Sequence, residues 1–226
     1  MILVIDGFSV ELTRKDIRTL RLTVKRDGRI CISAPRHLPQ DRIEDFVRQK
    51  REWILSQQAR FASLPIPQDL QYVTGENFVY LGFPYRLDVR KGPSDFFFLD
   101  DTAGLAVLTI RDLGAPEQRE KFLSEWRRES LREEIAARLP IWEEATALHP
   151  TDFSIRDMHT HWGSCNTQTG KIWFSLMLSE KSVEQIDYVI LHELCHLRVP
   201  NHSADFKALM DIYMPDWRER KKDLNA

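Results

Sequence analysis

The stretch His192-Glu193-Leu194-Cys195-His196, continued as Leu197-Arg198-Val199-Pro200-Asn201-His202, decides how this chain is read. Two histidines four apart on a helix stand one turn apart on the same face. Both imidazoles can then reach one metal ion at about 2.0–2.1 Å. Glu193 stands beside them, placed to take a proton from a water on that metal. Pro200 cannot continue a helix, and Asn201 tolerates the left-handed conformation that turns a chain sharply. Such a turn can return His202 to the same ion, with Asp205 as the next candidate for third ligand. Three nitrogen ligands and one open position are the arrangement of a catalytic zinc, one ion per chain, rather than of a closed structural site.

The surroundings agree with the motif. Ser182-Val183-Glu184-Gln185 has the form of a capping box that starts a helix. Ile186, Val189, Ile190, Leu194 and Leu197 follow as an apolar stripe at helical spacing. A bare H-E-x-x-H also arises by chance in a solvated helix, but motif, helix and third histidine together argue against that here. Asp187, just before the motif, admits two readings: a carboxylate that orients a ligand imidazole, or a first-turn acid favoured by the helix dipole. Cys195 falls toward a different part of the helix surface and reads as a buried thiol. Cys165 follows a Gly-Ser turn with no basic group fixed beside it, so burial is again the better reading.

Composition sets outer bounds. The 226 residues are enough for one large domain or a small and a larger one, and 42% apolar content supports a core. A net charge of −2 makes no electrostatic case for nucleic acid. The first 60 residues hold 13 Lys/Arg against 8 Asp/Glu, a modest excess that a solvated strand face explains. Three cysteines are too few, and odd in number, for a disulfide framework, which points to a reducing compartment. The N-terminus lacks the apolar core of a signal peptide, and no apolar run approaches the ~18 residues of a membrane span. A soluble cytoplasmic protein is the expectation.

The periodicity predicts an α+β chain: N-terminal antiparallel strands, then a helical core with a small sheet. Strands are expected at 2–5, 9–13, 20–25 and 29–34, the last two turned at Asp27-Gly28. One helix should follow over 40–62, with Ile43, Phe46, Val47, Trp53, Ile54 and Phe61 on its apolar side. After a Pro-rich linker at 64–67, segments 71–74, 77–81 and 85–89 suggest an antiparallel meander, and 96–99 with 105–110 a further hairpin. A long helix opens at Pro116 and is kinked or restarted at Pro140. Strands are expected at 153–159 and 171–176 with a loop over 162–169. The metal helix, a helix over 203–213 and a basic turn end the chain. No internal repeat is apparent. The natural division is a β-rich region with one helix over 1–112 and a catalytic region over 113–226, the two forming one compact unit.

These residues carry a resemblance. The chain resembles the YgjP-like metallopeptidases, zinc-dependent hydrolases with a zincin-like catalytic core. The likeness runs through Phe46-Val-Arg-Gln-Lys-Arg-Glu-Trp-Ile54, Tyr80-Leu-Gly-Phe-Pro-Tyr-Arg-Leu87, Trp162-Gly-Ser-Cys165, Ile186-Asp-Tyr-Val-Ile-Leu-His-Glu-Leu-Cys-His-Leu197 and Asn201-His-Ser203. It implies that His192, His196 and His202 bind zinc and that Glu193 is the catalytic base, as the spacing also suggests. Two positions depart from the family pattern. His161 and His159 stand where the family has an arginine and, two residues earlier, a lysine. Ser175 stands where it tends to have an asparagine. If 153–161 is extended, His159 and His161 share a face beside Trp162, and His161 is a candidate donor to an oxyanion.

Three functions compete: a zinc metallopeptidase, a metal-dependent hydrolase of another amide or ester, and a zinc-stabilised interaction domain. Glu193 argues against the last, because a structural site needs no base. The strand at 171–176 weakly favours a peptide or protein substrate, held by backbone pairing at a sheet edge. A nucleic-acid-linked protease, as among SprT-like relatives, has no support from charge, nor has a membrane partner.

Overall fold

The computed structural model describes residues 1–226 apart from 26, 64–69, 115 and 159, and no side chain of 60–63. The expected linker at 64–67, His159 and the Phe61 side chain therefore lie outside the described residues. The chain divides between Asp69 and Leu70 into two units. The strands over 77–110 belong with the helices of the second unit, and not with the first strands as the sequence suggested. The fold is α+β, with three small sheets and the helices packed beside them.

In the first unit, strands β1 (Ile2–Ile5), β2 (Phe8–Lys15), β3 (Arg21–Val24) and β4 (Ile30–Pro35) form one sheet in the order β1-β2-β4-β3. Asp6 (φ 48°) and Gly7 (φ 85°) make the tight turn between β1 and β2, with both central residues left-handed. The sheet is mixed rather than antiparallel, because β2 and β4 run parallel. Val10, Leu12, Ile30 and Ile32 meet Ile43, Val47 and Ile54 in its core. The single expected helix is two, α1 (Gln40–Gln49) and α2 (Arg51–Ser63), separated at Lys50 (φ −96°, ψ 8°). Nothing in the local sequence accounts for this break. Trp53 is not on the buried side; it is 42% exposed.

The second unit opens with the same arrangement. Strands β5 (Asn77–Tyr80), β6 (Phe83–Lys91), β7 (Phe96–Asp100) and β8 (Leu105–Ile110) take the order β5-β6-β8-β7, again with the middle pair parallel. Leu81 (φ 48°) and Gly82 (φ 84°) repeat the two-residue turn. Val4, Gly7, Phe8 and Leu12 match Val79, Gly82, Phe83 and Leu87 at constant spacing. The topology is thus repeated, although the sequence shows no repeat to casual reading. The expected meander fails, since 71–74 forms no strand and β6 crosses over to β8.

Helix α3 (Pro116–Thr146) is the spine of this unit. Leu123, Phe122 and Trp126 of its first half cover β5–β8, where Phe78, Phe97 and Tyr80 pack about the Trp126 ring. Leu131, Ile135 and Leu139 of its second half enter the core around α4 (Val183–Arg198). The helix runs through Pro140 without ending, because packing on both sides outweighs one lost hydrogen bond. A second small sheet has the order β10-β11-β9, from β9 (Asp152–Arg156), β10 (Gly163–Asn166) and β11 (Lys171–Ser175). A 3-10 turn over Leu176–Glu180 leads into α4, and α5 (Ala204–Tyr213) and α6 (Trp217–Leu224) follow. Where a basic turn was expected, the chain forms α6. Among the described residues no helix is long and apolar enough to cross a membrane.

Asp187 ties α4 to α3. Its carboxylate accepts from Arg138 Nε (2.8 Å) and Nη2 (2.7 Å) and from Trp142 Nε1 (3.0 Å). The clamp is mostly shielded, with 14% of the Asp187 and 24% of the Arg138 side chain exposed. Asp187→Ala should therefore cost about 2–3 kcal/mol, since it strands an indole N–H and leaves the Arg138 guanidinium with Glu134 in place of two carboxylates. A lowered urea midpoint with unchanged metal content is the expected result, whereas lost metal binding would put Asp187 in the site instead.

Candidate metal centre

Helix α4 begins as the sequence suggests. Gln185 Oε1 accepts the Ser182 backbone N–H at 3.0 Å, which is half of a capping box. Ile186, Val189, Ile190 and Leu194 are buried as expected, and so are Tyr188, Leu191 and Cys195. The helix ends at Arg198, before Pro200, with the Val199 N–H returning to Cys195 O at 2.9 Å. Asn201 does not turn the chain through a left-handed conformation. Its side chain instead accepts the Ser203 N–H at 3.2 Å, a local turn that carries His202 back toward the helix.

His192, His196 and His202 come together, each offering a ring nitrogen within 4.8 Å of the other two. The Nε2 atoms of His192 and His202 are 3.0 Å apart. A shared ion with bonds of about 2.0–2.1 Å would separate tetrahedral ligands by about 3.3 Å, so the donor set fits. Asp205, the reserve ligand, is not in this group. The rings are also held in useful orientations. His196 Nδ1 lies 3.1 Å from Val199 O, and a carbonyl only accepts, so Nδ1 carries the hydrogen and Nε2 keeps its lone pair. His192 Nδ1 faces the Tyr188 hydroxyl at 3.4 Å.

Phe206 of α5 is the common floor. Its ring lies 4.9 Å from His192, 4.7 Å from His196 and 4.9 Å from His202, centroid to centroid. Burial, followed by the neighbouring imidazoles and Lys221, pushes His192 down to about 3. Burial also lowers His196. Both rings are therefore neutral at ordinary pH, as metal ligands must be.

Glu193 is buried, 5% exposed, and burial pushes its carboxyl up to about 8. A nearby cation would oppose that effect. Edge strand β10 packs on α4 beside it, and Gly163 lies against its carboxylate. Sequence reasoning missed this strand, which falls in the expected loop at 162–169, because four residues beginning Gly-Ser give no alternating pattern. The expected edge strand, β11, is the central one.

The remaining candidates fall elsewhere. β9 ends at Arg156, so the extended run proposed for 153–161 stops short. His161 is an exposed loop residue that makes no hydrogen bond or ion pair among the described residues. Trp162 is half-buried, donates to Oδ1 of Asn225, the residue after α6, at 3.3 Å and has Lys181 Nζ 5.1 Å from its ring. Ser175, at the family's asparagine position, is fully buried and structural: its hydroxyl donates to Met158 O at 2.7 Å and accepts the Met177 N–H. Cys195 is buried. Cys165 is half-buried, and burial and then Glu193 push its thiol up to about 11, so it is no thiolate. Phe206, Tyr188 and Gly163 are what the sequence did not single out; for Phe206 only its inward helical spacing was a signal.

No curated protein matches the chain. The family model for the YgjP-like metallopeptidase domain matches residues 18–226, which is nearly the whole chain, and the protein belongs to that family.

Proposed function

We propose that this protein is a zinc-dependent peptidase, with one Zn²⁺ per chain held by His192, His196 and His202 and Glu193 as general base. The convergence of three imidazoles beside a buried carboxyl that takes no hydrogen bond among the described residues carries this reading. Imidazole donors suit zinc, and three protein ligands leave one position open. A zinc ion bound there supplies Lewis acidity, lowering the pKa of water toward about 7 and polarising a carbonyl. Glu193 takes the proton from the attacking water and hands it to the departing amine. Tyr188 and Val199 O hold the Nδ1 sides of His192 and His196, leaving the Nε2 sides for the ion.

Strand β10 supports a peptide or protein as substrate. Among the described residues it pairs with β11 on one side only, which leaves its other edge for an extended chain beside Glu193. A small amide or ester would make no use of that edge. The three free cysteines suit a reducing compartment such as the cytoplasm.

Metal analysis of the purified protein should find one zinc per chain, and His202→Ala should sharply lower that content; full zinc in this variant would remove His202 from the ligand set. Glu193→Gln should keep fold and zinc while kcat on a peptide substrate falls by about 10²–10⁴-fold. Near-normal turnover in Glu193→Gln would refute the base assignment. A donor role for His161 is decided in the same assay: lower kcat in His161→Ala with zinc unchanged supports it, and equal turnover removes it.

A further inference from the structure

Gly163 opens β10, opposite Phe174 of β11. A Cβ built on it would fall 2.6 Å from Oε1, 2.7 Å from Cγ and 2.9 Å from Cδ of Glu193, its three nearest atoms. Its φ is not in the left-handed region, so the backbone itself does not require glycine. The close approach of strand to acid does. The strand is in turn tied down at its start, where Trp162 O accepts the Ser175 N–H at 2.8 Å and Trp162 Nε1 reaches Asn225. No hydrogen bond among the described residues holds the Glu193 carboxylate. Packing alone sets where it stands.

We propose that Gly163 is a positioning residue for Glu193: the side chain it lacks is the slot in which the carboxylate stands beside the histidines. This rests on Glu193 being the base, as proposed above. The argument is steric and directional. Carbon atoms settle about 3.5–4.0 Å apart, so a methyl at 163 drives Cγ of Glu193 back by about 1 Å. A misplacement of that size costs a reaction on the order of 10²-fold. The three histidines are not among the atoms a methyl would meet first, so the ligand set is left as it is.

Four proteins test this in the metal-free state: wild type, Gly163→Ala, Glu193→Ala and the double variant. Gly163→Ala should lower Tm by about 3 °C or more when Glu193 is present. With Glu193→Ala it should leave Tm unchanged or raise it, because the methyl then fills vacated space. Zn²⁺ titration should give Gly163→Ala an affinity within about threefold of wild type, and its Co²⁺ form an unaltered visible spectrum. With zinc and a peptide substrate, kcat should fall about 10²-fold with KM little changed. Equal loss of Tm in both backgrounds, or wild-type kcat in Gly163→Ala, overturns the proposal. A wild type that cleaves no peptide overturns the preceding reading, and the Tm cycle then decides this one alone.

Discussion

Everything in the second unit depends on the burial of α4. A metal helix on a surface could present two histidines to solvent with no supporting structure. Here the motif lies in a helix whose buried residues include Tyr188, Leu191, Leu194 and Cys195, so several faces need a partner. α3 covers one side with Leu131, Ile135 and Leu139, and Phe206 and Met210 of α5 join the same core. The polar groups that go in with the helix are then costly unless matched. Asp187 is matched by a guanidinium and an indole. His192 and His196 are accommodated by becoming neutral, which is also the form that binds a metal.

The repeated sheet topology shows how that core is fastened to the rest of its unit. In the second copy the Leu81-Gly82 turn meets the segment that starts α4: Leu81 N–H donates to Ser179 O at 2.8 Å, and a Cβ on Gly82 would touch Ser182 at 3.2 Å. Glycine thus serves there both the left-handed backbone and a close contact. In the first copy the corresponding turn is closed within its own unit, where Arg51 donates to Asp6 O and stands over Phe8. One motif therefore serves two ends: a turn closed within the first unit, and a platform that holds the segment starting α4 in the second.

Helix α4 was legible in the sequence because all its signals are local. Cap, apolar stripe, paired histidines and terminating proline lie within about twenty consecutive residues, and helical spacing alone relates them. His202 was legible for the same reason, although the turn that returns it uses the Asn201 side chain rather than its backbone. What could not be read is set by partners distant in sequence. β10 is a strand only because β11 pairs with it. Asp187 looked like either a dipole acid or a ligand-orienting group until Arg138 and Trp142, 49 and 45 residues away, were found on it. The parallel crossovers of β2 with β4 and of β6 with β8 leave no local mark, and four matched residues do not announce a repeat.

Two carboxylates on α4, six residues apart, meet opposite fates, and the contrast defines the site. Asp187 takes three donors and is used up by architecture. Glu193, more deeply buried, takes none among the described residues, and burial alone holds its carboxyl up to about 8. A fold selected for stability alone would remove or partner such a group, because an unmatched buried acid only costs free energy. Leaving it unpaired, against a strand that comes close enough to exclude even a methyl, makes sense where its partner arrives with the reaction. Its neighbours Leu194 and Cys195 pack like any core, and the polar side chains buried on α4 are Glu193 and His196. Such confined violations are where chemistry is expected in an otherwise consistent fold.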